Sequence, residues 1–398
     1  MHDVAIIGGG LSGSFSALNL ARQGLKVVVL EEHALSGEPR YCTGIIGQEA
    51  FTRFKLPLLP IQNSFSSAIL HSPLGATVRL THTEPQAFVI NRALFDWALA
   101  ERASSVGAEY RFNTKCVALE PASGRVVLTV QNGLKKEKIY AHTAILAAGT
   151  WYGLHTPLGL SRPKRLLDTA QVEVNADRIS EVEVYFGRKV APGSFGWAVP
   201  LEPGRARIGV STYKNAGYYL VKLLESKAFL ERIPGGQPME IKRKVIPISP
   251  IKKTFGPRFL ITGDSAGQVK PTTGGGIYYA LLSAHLASEN IISAFKTGDF
   301  SETHFSRYQA AWQKEIGMEL RIGNIARKIL SVLPDSKIDS LVRTLKDEDI
   351  MALIQKNANF DWHQKIITGL AAHPRVLFQL SQNLFSIRKT LFPARIAS

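Results

Sequence analysis

The sequence predicts an α/β fold, α+β overall, in which a Rossmann-like nucleotide-binding domain carries an inserted antiparallel-sheet domain and is followed by a C-terminal helical region. Three observations predict it. A strand, a glycine turn and a helix open the chain over Val4 to Ala21. A second strand, turn and helix recurs at Phe259 to Ser288. Between them, residues 170–213 alternate polar and apolar side chains with the two-residue period of antiparallel strands.

The opening element is the apolar run Val4 to Ile7, then GGGLSG, then Ala17, Leu18, Leu20 and Ala21 at helical spacing. In that order Gly8 allows the tight turn, Gly10 lets backbone approach a pyrophosphate without a Cβ in the way, and Gly13 permits close helix packing. The helix N-terminus adds free N–H groups for an anion. Lys26 to Leu30 makes a second buried strand, which Glu31 closes 23 positions after Gly8. An acid there bridges the ribose hydroxyls of an adenosine and repels a 2′-phosphate.

Glu31 suits NAD and FAD alike, so the choice rests on the downstream element. Phe259 to Thr262 is followed by GDSAG (Gly263 to Gly267), PTTGGGI (Pro271 to Ile277) and the helical run from Tyr278. Asp264 at the strand end is suited to accept a hydrogen bond from a ribityl hydroxyl, with a helix N-cap as its purely structural alternative. The amides of Gly274, Gly275 and Gly276, leading into Ile277, are suited to the flavin pyrimidine edge and the phosphates. FAD is therefore the expected cofactor.

The cofactor elements are scattered, so the FAD domain is read as discontinuous, over 1–165 and 245–300, with part of 50–90 joining the substrate sheet. Residues 166–244 form the antiparallel substrate domain, with strands at Gln171 to Val174, Glu181 to Phe186, Gly196 to Val199 and Ala206 to Ser211. The helical region is 301–398. Near its end Leu377, Leu380, Leu384, Ile387 and Leu391 recur every three or four residues, and no acid follows Asp361 while Lys365, Arg375, Arg388, Lys389 and Arg395 do. That stretch either lies on anionic lipid or packs as a lid on the substrate domain.

With 398 residues, 45% of them hydrophobic, the chain has material for two or three domains' worth of core. Two cysteines, Cys42 and Cys116, are too few for a disulfide framework, and no Cys/His cluster has metal-ligand spacing, so no metal is expected. The net charge of +16 favours an anionic partner. No recognised nucleic-acid motif or basic-aromatic interleaving is present, so nucleic acid is not the expected one. Without an apolar run of about 18 residues or a basic leader, the expected location is cytoplasmic, free or peripheral on the inner face of the membrane.

The opening fingerprint, the GDSAG element and VINRALFDWALAERASSVGAE (Val89 to Glu109) resemble the flavoprotein group containing p-hydroxybenzoate hydroxylase and geranylgeranyl reductase. The resemblance implies extended FAD, a cofactor role for Arg92, and a strand AILAAGT placing Gly149 near the adenine. Without the resemblance Arg92 reads equally as a surface residue, since half the helix after it, with Asp96, Glu101 and Arg102, reads as solvated. Two stretches are similar to the geranylgeranyl reductase branch. SFGWAVP (Ser194 to Pro200) resembles its YxWxFP signature, with Phe195 for tyrosine, Trp197 kept and Val199 for phenylalanine. GEPRYCTGIIG (Gly37 to Gly47) resembles its cysteine-glycine loop, with Thr43 where glycine is often found.

The branch implies hydride transfer from flavin N5 to one carbon of an isolated alkene in a polyprenyl diphosphate or lipid, and protonation of the other carbon. Phe195, Trp197 and Pro200 are the expected substrate wall, although an aromatic in a strand is more often sheet core. Cys42 is the expected catalytic residue, as proton donor or pocket wall, against an inert buried thiol. Cys116 is taken as core. No second dinucleotide fingerprint is present, so the electron donor is external, NAD(P)H or ferredoxin. The same cofactor motifs also serve flavin monooxygenases, halogenases and dehydrogenases that pass electrons to quinone.

Overall fold

Strands whose residues are apolar on both faces form the centre of the first sheet, because only a strand covered on both sides tolerates such a run. The structure is a computed structural model describing residues 1–39, 41–235 and 239–381. Its first sheet has the parallel order Phe259–Ile261, Lys135–Leu146, His2–Ile7, Val27–Leu30, Glu109–Arg111. Helices Leu11–Ala21, Arg92–Ser104 and Ile277–Thr297 cover one face, with Leu18, Leu99 and Leu281 in a common core. The hairpin Lys115–Ala122 and Arg125–Asn132 feeds the opposite core, where Cys116 is buried.

The second sheet runs Lys242–Pro247, Leu166–Asn175, Arg205–Thr212, Phe195–Pro200, Val182–Phe186, Ser67–His71, Thr77–Thr81. The last two strands come from 50–90, and Ser67–His71 joins in parallel to Val182–Phe186. Ala170, Val172, Ile208 and Val210 point to one face, where helix Ala216–Leu224 buries Leu220 and Leu223 on them. Ile45–Gly47, Ala87–Ile90 and Ile61–Phe65 form a small third sheet.

Two sequence boundaries move. Strand Lys242–Pro247 pairs along Leu166–Asn175, from Leu166 with Pro247 to Gln171 with Lys242, so a division between 244 and 245 cuts a strand of the substrate sheet. The chain re-enters the first sheet only at Phe255–Gly256. The 31-residue helix Glu302–Val332 buries Phe305, Tyr308, Trp312 and Ile316 in the nucleotide domain's own core rather than opening a separate region. Four shorter helices follow, to Ser381. Leu377 lies exposed in Pro374–Ser381, whereas Leu384, Ile387, Leu391, Arg388, Lys389 and Arg395 fall outside the described residues. Among the described residues no helix is long and apolar enough to cross a membrane, and no group of acids, histidines and cysteines is placed to hold a metal.

Candidate active site

A single cavity of about 610 Å³ runs from the first glycine turn to the inner face of the second sheet. Its nucleotide end is built by steric demands at the turn. Gly8 has φ +101, and a Cβ there would stand 2.5 Å from the Ala147 carbonyl oxygen. A Cβ on Gly13 would stand 1.9 Å from the Gly8 oxygen, so the helix seats on its strand only if residue 13 is glycine. Gly10 differs: its Cβ direction meets nothing within 4 Å and points into the cavity its residue lines.

Glu31 is 7% exposed and shapes this loop. Its Oε2 accepts from the Gly9 amide at 2.7 Å, and its Oε1 from the His33 amide at 2.9 Å and ring Nδ1 at 2.6 Å. One acceptor position on Oε2 remains toward the cavity, since each carboxylate oxygen accepts twice. Gly149 lines the same end, its carbonyl held by Ser265 Oγ at 2.8 Å. Open space over Gly10, the unpaired amides of the helix start and a ribose-bridging acid together fit the phosphates and adenosine of a dinucleotide.

Asp264 stands in the turn Gly263–Ala266 and meets Lys244 Nζ of the second sheet at 3.3 Å. Gly274, Gly275, Gly276 and Ile277 line the cavity beside it. This loop folds back on Lys270, whose amide donates to the Gly275 carbonyl at 3.1 Å and whose carbonyl accepts from the Gly274 amide at 2.9 Å. Lys270 Nζ is buried against Asp361 Oδ1 at 2.7 Å and lies 4.4 Å over the Phe360 ring. Phe360 lines the cavity, so the C-terminal region completes the site. Sequence reading missed Lys270, Phe360 and Asp361, because 91 residues separate the paired charges and no local pattern joins them.

Arg92 begins its helix and lines the cavity. Asp96 is not solvated as its helix position suggested: it is 2% exposed and takes Arg92 Nε at 3.0 Å and Nη2 at 2.7 Å. Spacing of four along a helix puts the two on one face, and the bidentate pair compensates the burial of both. Burial opposes the Arg92 charge, yet Asp96 and Cys42 beside it outweigh that and hold the guanidinium above its usual range. Cys42 lines the cavity and accepts from the Gly44 amide at 3.4 Å. Its loop is pinned to the second sheet by Thr43 Oγ1 on Gln171 at 3.0 Å and by Arg207, which holds the Thr43 carbonyl and Glu173.

On the substrate side, strand alternation decides which residues are in. Phe195, Trp197 and Val199 line the cavity with Leu167, Val182 and Ile246. Pro200 does not. It follows Val199 by one residue and so lies on the other face, paired with Ala206, its carbonyl accepting from Asn63 at 3.4 Å. Trp197 lies flat on Gly209, where a Cβ would come within 2.2 Å of the indole. That glycine gives the ring its place.

Comparison with known proteins places this geometry. Residues 3–61 match a family model described as FAD dependent oxidoreductase. The chain is 32% identical over 358 residues to the digeranylgeranylglycerophospholipid reductase of Methanocaldococcus jannaschii, covering 87% of this chain and 90% of that one. A geranylgeranyl bacteriochlorophyll reductase-like protein of Thermoplasma acidophilum superposes with a TM-score of 0.85 at 21% identity, over 96% of this chain and 98% of that one. The p-nitrophenol 4-monooxygenase of Pseudomonas putida shares the fold with a TM-score of 0.71 at 17% identity, over 92% and 98%.

Proposed function

The chain belongs to the geranylgeranyl reductase family of FAD-dependent oxidoreductases, and on that premise we propose that it saturates carbon–carbon double bonds in the polyprenyl chain of a phosphate-bearing isoprenoid, a geranylgeranyl diphosphate or a geranylgeranylated phospholipid. One observation carries the reading: the dinucleotide cradle and the apolar inner face of the second sheet open into one cavity, with the Cys42 loop at their junction.

In this reading Gly8, Gly10, Gly13, Glu31 and Gly149 hold the ADP half of FAD, and Arg92, Asp264 and Gly274 to Ile277 hold its flavin half. FAD, when bound there and reduced by two electrons, would supply a hydride from N5 to one alkene carbon. Leu167, Val182, Phe195, Trp197 and Val199 hold the polyprenyl chain in place and exclude water. Cys42 Sγ would give its proton to the other alkene carbon and regain one from water after each turnover, and Arg92, paired with Asp96, would steady the sulfur while the proton is away. An external donor, NAD(P)H or a ferredoxin, returns the electron pair consumed at each bond. An unactivated alkene has no neighbouring carbonyl to share charge, so positioning carries most of the catalysis and turnover is slow.

Anaerobic incubation of the chemically reduced, flavin-loaded protein with both substrates tests this. A product heavier by two hydrogens per bond is expected. Unchanged masses for both substrates overturn the proposal.

A further inference from the structure

Among the described residues, three lysine and arginine side chains line the cavity: Arg92, Lys115 and Lys244. The first two are fully engaged. Arg92 is held bidentately by Asp96, and Lys115 pairs with Glu32 at 2.7 Å while lying 5.0 Å over the Trp151 ring. Lys244 sits on strand Lys242–Pro247, at the edge of the second sheet. Its Nζ meets Asp264 Oδ2 of the nucleotide domain at 3.3 Å. That contact uses one of the three protons an ammonium can donate.

Strand alternation sets where this lysine stands. Arg243 turns to the outer face, where it meets Asp168 at 3.0 Å, and Val245 is exposed. Lys244 and Ile246 turn inward and line the cavity with Leu167 and Thr169. Ile246 Cδ1 stands 3.3 Å from the position a Cβ on Gly274 would take, so the strand rests on the glycine-rich loop. Lys244 is the next inward residue along that face, roughly 7 Å away. From the other side, Asp264 Oδ1 stands 3.3 Å from the position a Cβ on Gly276 would take. One corner of the cavity is thus bounded by Lys244, Asp264 and the glycine-rich loop. Helix Ile277–Thr297 starts there with no side-chain cap and no acid in its first turn, so its positive end adds to the lysine.

We propose that Lys244 is the cation that balances the negative charge of the reduced flavin. The assignment rests on the reading above, in which this corner takes the ribityl chain and pyrimidine edge of FAD. The oxidised ring system is neutral. Two electrons from the external donor and one proton leave it with a single negative charge, spread over N1 and the C2 carbonyl oxygen. An ammonium facing those atoms favours the reduced form over the oxidised one. A lysine that only neutralised Asp264 would lose its effect once that acid was removed. One that faces the flavin would keep it.

The midpoint potential of the bound flavin, titrated anaerobically in the flavin-loaded protein, separates the two. Lys244→Met should weaken the preference for reduced over oxidised flavin about tenfold, a fall of about 30 mV for a two-electron couple. Lys244→Arg keeps the charge and should retain most of the potential. In an Asp264→Asn background, Lys244→Met should again lower it. For a variant that loads incompletely, the affinities for oxidised and reduced FAD are measured separately, and their ratio gives the same quantity. An unchanged potential in Lys244→Met, or a fall that vanishes in the Asp264→Asn background, overturns the proposal. A wild type that binds no FAD overturns it together with the cofactor reading. If the potentials shift as expected while the wild type reduces no alkene, the assignment of Lys244 stands and the reductase reading falls.

Discussion

Gly10 and Gly13 share one turn yet should respond oppositely to a methyl group. Gly13→Ala places a Cβ 1.9 Å from the Gly8 oxygen and should destabilise the flavin-free protein by roughly 1–3 kcal/mol or more, despite alanine's better helix propensity. Gly10→Ala meets no protein atom, so the flavin-free protein should melt near the wild type, while FAD affinity falls roughly ten- to a hundredfold. Thermal melts with and without added FAD separate the two. Glu183 does not line the cavity. Burial raises its pKa, but hydrogen bonds from His71, Arg232 and Tyr185 outweigh that and hold it down at about 2. A carboxylate held below its unfolded value contributes stability that is complete above the ordinary range, about pH 4.5, and is lost as pH falls toward 2. Urea unfolding should therefore show Glu183→Gln less stable than wild type at pH 7, with the gap closing below pH 4.5.

At the scale of elements, strand parity is the controlling fact. Trp197 and Pro200 belong to one strand but to opposite faces, so Trp197→Leu should raise the KM for the polyprenyl substrate about tenfold, and Pro200→Ala should leave it within about twofold. Equal effects in steady-state assays would contradict the cavity as described. The same parity marks what the sequence made legible. The two strand-turn-helix elements that carry the glycine turn, Glu31, Asp264 and the Gly274 loop were readable as elements, because the spacing of each has one steric meaning. Pro200 was misplaced because a motif was carried over as a contiguous string, whereas a pleated strand offers alternate residues only. Asp96 was misread as solvated because helix amphipathicity alone does not reveal a buried pair, although its spacing from Arg92 did hold the signal.

Over the whole molecule, the site is assembled from segments far apart in the chain, and that is why its closing wall escaped the sequence. Phe360 reaches the cavity only because Asp361 pairs with the buried Lys270, tying the C-terminal helices to the glycine-rich loop. Asp361→Ala leaves that lysine uncompensated and should cost roughly 3–5 kcal/mol and release flavin, seen as a lower melting temperature and early flavin fluorescence. Lys270→Met/Asp361→Leu should recover part of the loss, since replacing both charges removes the uncompensated one. In the function proposed here, reduced flavin in this cavity gives its electrons to an alkene. The direct measurement is anaerobic: mix the reduced, flavin-loaded protein with geranylgeranylated phospholipid and follow flavin absorbance and product mass together. Recovery of the oxidised flavin spectrum with one double bond saturated per flavin is the predicted result. A spectrum that stays reduced until oxygen is admitted, followed by a one-oxygen gain on a substrate, would contradict it and make the protein a monooxygenase.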